Sequence, residues 1–123
     1  MKLVVKVGGK VLEQTALRKH LVRQIIRLAR AGHALVVVHG GGSILTTTLS
    51  KLGVRTRFVS GLRYTDKVTR DVALMVLAGF VNKRLVADIV GFGGCAVGLC
   101  GGDAGLARTR KLTLSSNGRQ RDL

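Results

Sequence analysis

Proline and tryptophan are absent from the 123-residue sequence, and its aromatic residues are three phenylalanines and one tyrosine. At 3% aromatics there are too few rings for a base-stacking platform. Acidic residues are scarce as well: six Asp and Glu stand against 21 Lys and Arg, a formal charge of +15. Such an excess points toward nucleic acid, an acidic carrier protein or another anionic surface. A more acidic remainder, missing from the sequence, would explain it equally. The basic residues are scattered rather than blocked, so no nucleic-acid partner is expected. No apolar run is long enough for a bilayer, and no membrane partner is expected. The opening Met1-Lys2-Leu3-Val4-Val5-Lys6 lacks the apolar core and cleavage site of a secretory leader. It reads as the first strand of a cytoplasmic protein. The two cysteines, Cys95 and Cys100, have an odd spacing that sets them on opposite faces of a strand. They are expected as buried free thiols, and without a nearby histidine they make no metal site.

Apolar residues, at 46%, and glycine, at 17 positions, are plentiful. This suits one compact domain rather than a disordered chain. The chain is organised around Val36-Val37-Val38-His39-Gly40-Gly41-Gly42-Ser43, a β-branched run that stops at three glycines and passes into a helix at Ile44-Leu45. Glycine lets a backbone approach a ligand closely, and free N–H groups at a helix start favour negative charge. The turn is therefore a candidate site for a carboxylate or phosphate, although glycine also ends strands for steric reasons alone.

Residues 2–7 read as a strand buried on both faces. Gly8-Gly9 break it. Over 14–31, Leu17, Leu21, Ile25, Leu28 and Ala29 form a helical stripe, Arg18, Arg23, Arg27 and Arg30 lie off it on a solvated face, and Gly32 is the stop. A second strand at 34–38 and a helix over 43–52, ending at Gly53, follow. Residues 54–64 read as extended or loop. Thr65 or Asp66 can cap a helix in which Val68, Val72, Met75, Val76 and Gly79 keep helical spacing. Another helical segment, 80–91, carries Val81, Leu85, Val86 and Ile89. A third strand, Cys95–Cys100, meets a third glycine turn, Gly101-Gly102-Asp103. From 112 the chain is polar and reads as a turn or frayed tail. Strands that run into glycine, with helices between, predict an α/β fold: a parallel sheet with helices on both faces and its glycine turns gathered at the carboxyl edge.

None of the three turns matches a P-loop or a dinucleotide fingerprint. Lys6, at the end of the first strand, either aims its ammonium at the ligand edge, where it could neutralise a phosphoryl group, or snorkels into solvent. Taken together, Lys6-Val7-Gly8-Gly9, His39-Gly40-Gly41-Gly42, Gly61-Leu62-Arg63-Tyr64-Thr65-Asp66, Met75-Val76-Leu77-Ala78-Gly79, Val81-Asn82-Lys83 and Val97-Gly98-Leu99-Cys100-Gly101-Gly102-Asp103 resemble the acetylglutamate kinases of the amino-acid kinase family, in order and spacing, over residues 1–111. The resemblance implies a three-layer α-β-α sandwich with a mainly parallel sheet, here truncated. It implies ATP-dependent phosphorylation of the side-chain carboxylate of N-acetyl-L-glutamate in arginine biosynthesis, with ATP and Mg2+ as cofactors and a homo-oligomeric assembly. It also implies roles: Lys6 stabilises the transferring phosphoryl group, Gly9 lies near the ATP phosphates, Gly41 and Gly42 offer N–H groups to substrate, and Arg63 clamps its α-carboxylate. A planar guanidinium suits a carboxylate better than an ammonium does.

Relatives that phosphorylate carrier-linked aminoadipate in lysine biosynthesis stay open as an alternative, through Tyr64, the basic Arg108-Thr109-Arg110-Lys111 and the high charge. The family's chain is about twice this length, and its nucleotide-binding half, with an asparagine–aspartate substrate motif, an adenine pocket and a second lysine, has no counterpart in this sequence. Residues 1–111 are thus expected as the acyl-amino-acid-binding half and 112–123 as a tail. On this basis the isolated chain is expected to be inactive as a kinase, or to serve as a non-catalytic binding piece. The family usually has glycine where Ala104 stands.

Overall fold

The computed structural model describes residues 1–110 and the backbone of 113–116 and 119–122. β1 (Lys2–Val7) leads through Gly8 into a short helix α1 (Gly9–Glu13) and then α2 (Thr15–Arg30). β2 (Ala34–His39) pairs with β1 in parallel, Lys2 opposite Ala34 through Val7 opposite His39. α3 (Gly42–Lys51) follows. Gly32 and Gly53, at φ 83° and 71°, turn the chain out of α2 and α3 in the left-handed conformation that closes helices.

Residues 54–64, expected as extended or loop, contain a tight hairpin. β3 (Phe58–Val59) and β4 (Leu62–Arg63) pair antiparallel around Ser60 and Gly61, both at positive φ. Two successive positive φ values are the geometry of the type I′ turn, whose twist matches that of the flanking strands. Asp66 then caps α4 (Lys67–Ala73), its Oδ1 accepting from the Thr69 N–H at 2.8 Å. α4 continues without a break through a π-helical segment, Leu74–Val81, into α5 (Asn82–Gly91). The two helices expected from the sequence are one rod.

The core joins Val7 to Leu12, Val22, Ile25, Ile26, Leu45, Leu49, Val72, Val76, Val81, Leu85 and Ile89, with Val5, Leu35 and Val37 packed against it. All the sheet residues among these lie on one face. The other face is open: Val4 is 73% exposed, Val36 58% and Val38 49%. The two-sided burial expected of residues 2–7 therefore does not hold among the described residues, where the helices cover a single face. The third expected strand differs too. Cys95–Cys100 joins no ladder among the described residues; side chains meet two of its carbonyls, Lys83 Nζ donating to Gly98 O at 2.8 Å and Asn82 Nδ2 to Leu99 O at 3.3 Å. Both cysteines are free, as expected, but neither is buried: Cys95 is exposed and Cys100 half-buried, since among the described residues nothing covers that side.

The α2 stripe is also rotated from expectation, and the stripe of the long rod holds at Val72, Val76, Val81, Leu85 and Ile89 but departs at a few positions. α2 buries Arg18, Val22, Ile25 and Ile26, whereas Leu17 and Leu28 are partly exposed. Arg18 leaves the expected solvated face because it finds partners inside: Nε donates to Asp88 Oδ2 at 2.6 Å and Nη1 to Leu12 O at 2.9 Å. On the long rod, Val68 and Met75 are exposed while Thr69, Val72, Val76, Val81, Asn82, Leu85 and Ile89 are buried. The expected tail over 112–123 lies partly outside the described residues. Within it, Thr113–Ser116 (β5) and Arg119–Asp122 (β6) pair antiparallel.

Candidate functional site

β1 and β2 end level, and the Gly40 N–H donates back to Val7 O at 3.2 Å. Both strands therefore release their glycine turns at one edge. The turns touch: a Cβ placed on Gly9 would stand 3.4 Å from Gly41 Cα and 3.5 Å from Ser43 Oγ. Gly41 is hemmed in on its other side, where a Cβ would meet Leu77 Cδ2 at 2.8 Å and Val81 Cγ2 at 3.3 Å. A side chain at Gly41 would have to push the Leu77 side chain aside, and glycine fits where two backbones and a helix converge. The Ser43 hydroxyl donates to the Glu13 carboxylate, tying the start of α3 to the end of α1.

Arg63 arrives from β4. Its Nη2 donates to Thr46 Oγ1 at 2.8 Å and to Gly42 O at 3.4 Å, and Nη1 donates to Thr56 Oγ1 at 3.4 Å. The guanidinium lies 4.8 Å from the centroid of the Phe58 ring, which braces it. A planar cation is thus held at the first turn of α3, where the helix N–H groups and the dipole also favour an anion. Thr46 and Thr56, which both touch Arg63, also line an open depression of about 380 Å³ with Ser50, Val54 and Arg55.

Of the residues singled out from the sequence, Gly9, Gly41, Gly42 and Arg63 are brought together. Lys6 stands apart. It pairs in register with Val38 and its exposed side chain leaves from the open sheet face. Thr46 was not singled out, although its place one turn after Gly42 is a readable signal for the same side of α3. His39 and Asn82 belong to quoted motifs but carried no role; they link the second and third turns, Asn82 Nδ2 lying 3.1 Å from His39 Nε2. At the third turn Asp103 Oδ2 accepts from the Cys100 N–H at 2.6 Å, and this bond holds its carboxyl below the usual carboxylate range.

No group of three His, Cys, Asp or Glu side chains capable of holding a metal occurs among the described residues. No helix among the described residues is long and apolar enough to cross a membrane.

The sequence matches the profile of the amino acid kinase family over residues 1–123. It is 48% identical over 117 residues to the acetylglutamate kinase of Koribacter versatilis (strain Ellin345), covering 95% of this chain and 45% of that protein. It is 50% identical over 111 residues to the acetylglutamate kinase of Acidobacterium capsulatum, covering 90% and 43%. Among solved structures, it resembles the smu.665 protein of Streptococcus mutans UA159, with a TM-score of 0.67 at 29% identity over 75% of this chain and 37% of that one. The N-acetylglutamate synthase of Neisseria gonorrhoeae, solved with coenzyme A and N-acetyl-glutamate, gives a TM-score of 0.61 at 31% identity over 73% and 21%. The chain spans less than half the length of these relatives. With paired glycine turns at one sheet edge and a family profile matched along its whole length, the chain belongs to the amino acid kinase family.

Proposed function

We propose that this chain is the acyl-amino-acid-binding part of an acetylglutamate kinase, in which Arg63 and the Gly40–Gly42 turn hold N-acetyl-L-glutamate. The observation that carries the reading is Arg63 anchored on Thr46 and Gly42 beside the packed Gly9 and Gly41 turns. In this reading the substrate's α-carboxylate accepts from the guanidinium in place of Thr46 and the Gly42 carbonyl. The N–H groups of Gly41 and Gly42 donate to the same small molecule. Phosphoryl transfer needs mainly positioning and charge neutralisation; the turns supply backbone donors for position, and Lys6, which leaves from the open sheet face apart from Arg63, would swing over the end of β1 to serve as the cation for the transferring group. Gly9 leaves room for phosphate oxygens beside the first turn. ATP, with Mg2+, supplies the phosphoryl group when bound.

The whole enzyme would be the three-layer sandwich of the family, cytoplasmic and homo-oligomeric, and the isolated chain would form no acyl phosphate. Hydroxylamine trapping with ATP and acetylglutamate tests the last point, because any hydroxamate made by purified 1–123 contradicts it. The substrate site is tested by calorimetry. Loss of a charge-assisted contact weakens binding by about 10–100-fold, the drop expected for Arg63→Ala. Unchanged affinity would remove the clamp. The charge of +15 favours a second reading, an aminoadipate kinase acting on an acidic carrier protein. Saturable binding of a carrier-linked aminoadipate, with none of acetylglutamate, would favour it.

A further inference from the structure

Asn82 is 7% exposed, and its Oδ1 has no hydrogen-bond partner. A buried polar atom left in this state calls for an explanation. The same amide is fully used on its other side. Nδ2 donates to Leu99 O at 3.3 Å and lies 3.1 Å from His39 Nε2. Across the ring, His39 Nδ1 lies 3.2 Å from Gly40 O. These contacts are all satisfied by one placement of the hydrogens. Leu99 O and Gly40 O are carbonyls and only accept. Leu99 O therefore requires the NH2 of Asn82 on its side. Gly40 O requires the hydrogen of His39 to be on Nδ1. Nε2 is then bare and accepts from Asn82. The two carbonyls constrain the amide and the ring independently, and they agree.

We propose that Asn82 is a positioning residue for the glycine turn: it fixes His39 as the Nδ1–H tautomer, which holds the Gly40 carbonyl and so aims the N–H groups of Gly41 and Gly42. The inference rests on the substrate-binding role of that turn proposed above. Turning the amide over would satisfy no more groups, because Oδ1 would then face both a bare ring nitrogen and the Leu99 carbonyl. The orphaned Oδ1 is the cost of this arrangement. Gly98 makes room for it: a Cβ there would lie 1.9 Å from Oδ1. The chain thus has glycine opposite an amide that joins β2, α5 and the 95–100 segment. The π segment delivers Asn82 to this position, since the same residues wound as ordinary α-helix would present Asn82 about 100° away.

Two-bond 15N–1H correlation spectra of the histidine rings in chain 1–123, at a pH where imidazole is neutral, test the proposal without any ligand. The wild type is expected to show His39 with hydrogen on Nδ1 and a bare Nε2. Asn82→Asp replaces the donor with an acceptor and is expected to move the hydrogen to Nε2 or to charge the ring. Gly98→Ala, which drives Asn82 aside while leaving both side chains in the sequence, is expected to give mixed tautomers. It is also expected to weaken acetylglutamate binding about tenfold, as for the loss of one positioning hydrogen bond. Hydrogen on Nε2 in the wild type, or an unmoved Nδ1–H in both variants, overturns the proposal. Should acetylglutamate fail to bind the wild type while the tautomer shifts occur as stated, the substrate reading falls and the role of Asn82 in fixing His39 stands.

Discussion

Ala104 carries a Cβ at φ 51°, in the left-handed region where glycine is at ease. Left-handed geometry costs an L-residue roughly 1–2 kcal/mol, and glycine's greater freedom in the unfolded chain returns part of that. Ala104→Gly is expected to stabilise the chain by about 0.5–1 kcal/mol, read as a higher urea midpoint. An unchanged or lower midpoint would mean that the turn after Asp103 bears no strain. Asp66 gives a pH effect with a defined sign. The Thr69 N–H it accepts holds its pKa below the usual carboxylate value. A lowered folded pKa adds stability above the unfolded value, and that stability is lost as pH falls through the folded one. The start of α4 should therefore loosen below about pH 4, seen as faster amide exchange at Thr69. Asp66→Asn keeps a capping side chain and should abolish this acid dependence. Asp66 was legible as a cap because the cap and its partner are three residues apart. Arg18 was not legible. Its partner Asp88 is 70 residues away, and a helical wheel cannot show it.

The rod from Lys67 to Gly91 shows how an element can defeat periodicity. Its main buried stripe, 69, 72, 76, 81, 85 and 89, with Asn82 buried beside it, steps by three, four, five, four and four residues. The step of five falls in the π segment, which holds one residue more than an α-helix would need. A single helical period cannot span it, so Val72 and Val76 before it and Val81, Leu85 and Ile89 after it follow the expected spacing while Met75 is exposed and Asn82 is buried. Deleting Gly79 should let the segment wind as ordinary α-helix and keep Asn82, Leu85 and Ile89 on the buried side. Deleting Lys83 should instead rotate Leu85 and Ile89 by about 100° and cost several kcal/mol, since each displaced large apolar side chain is worth about 2–5. Equal losses of denaturant midpoint for the two deletions would contradict this account. The β3–β4 hairpin escaped for another reason. Strands of two residues are too short to alternate, and only the Ser60-Gly61 pair marked the turn.

The molecule as a whole presents an apolar sheet face built from Val4, Val36 and Val38, with Val97 82% and Leu99 58% exposed in the neighbouring segment. A parallel sheet is ordinarily covered on both faces, and a continuous exposed apolar surface favours association. Chain 1–123 is expected to associate as its concentration rises, and Val36→Lys is expected to reduce this in light scattering. A wild-type monomer at every concentration would contradict it. The parallel pairing of 2–7 with 34–39, and the meeting of their glycine turns, were legible because β-branched runs and glycines carry that signal locally. The open face and the unpaired 95–100 segment were not, because hydrophobicity shows that a strand can be covered without showing what covers it. The central claim is that the turns at Gly9 and Gly40–Gly42, with Arg63, receive a small dicarboxylate. Amide 15N–1H spectra of the chain titrated with N-acetyl-L-glutamate test it most directly. Saturable shifts largest at Gly41, Gly42 and the Arg63 Nε–H are predicted; shifts centred elsewhere, or none at saturating ligand, would contradict the claim.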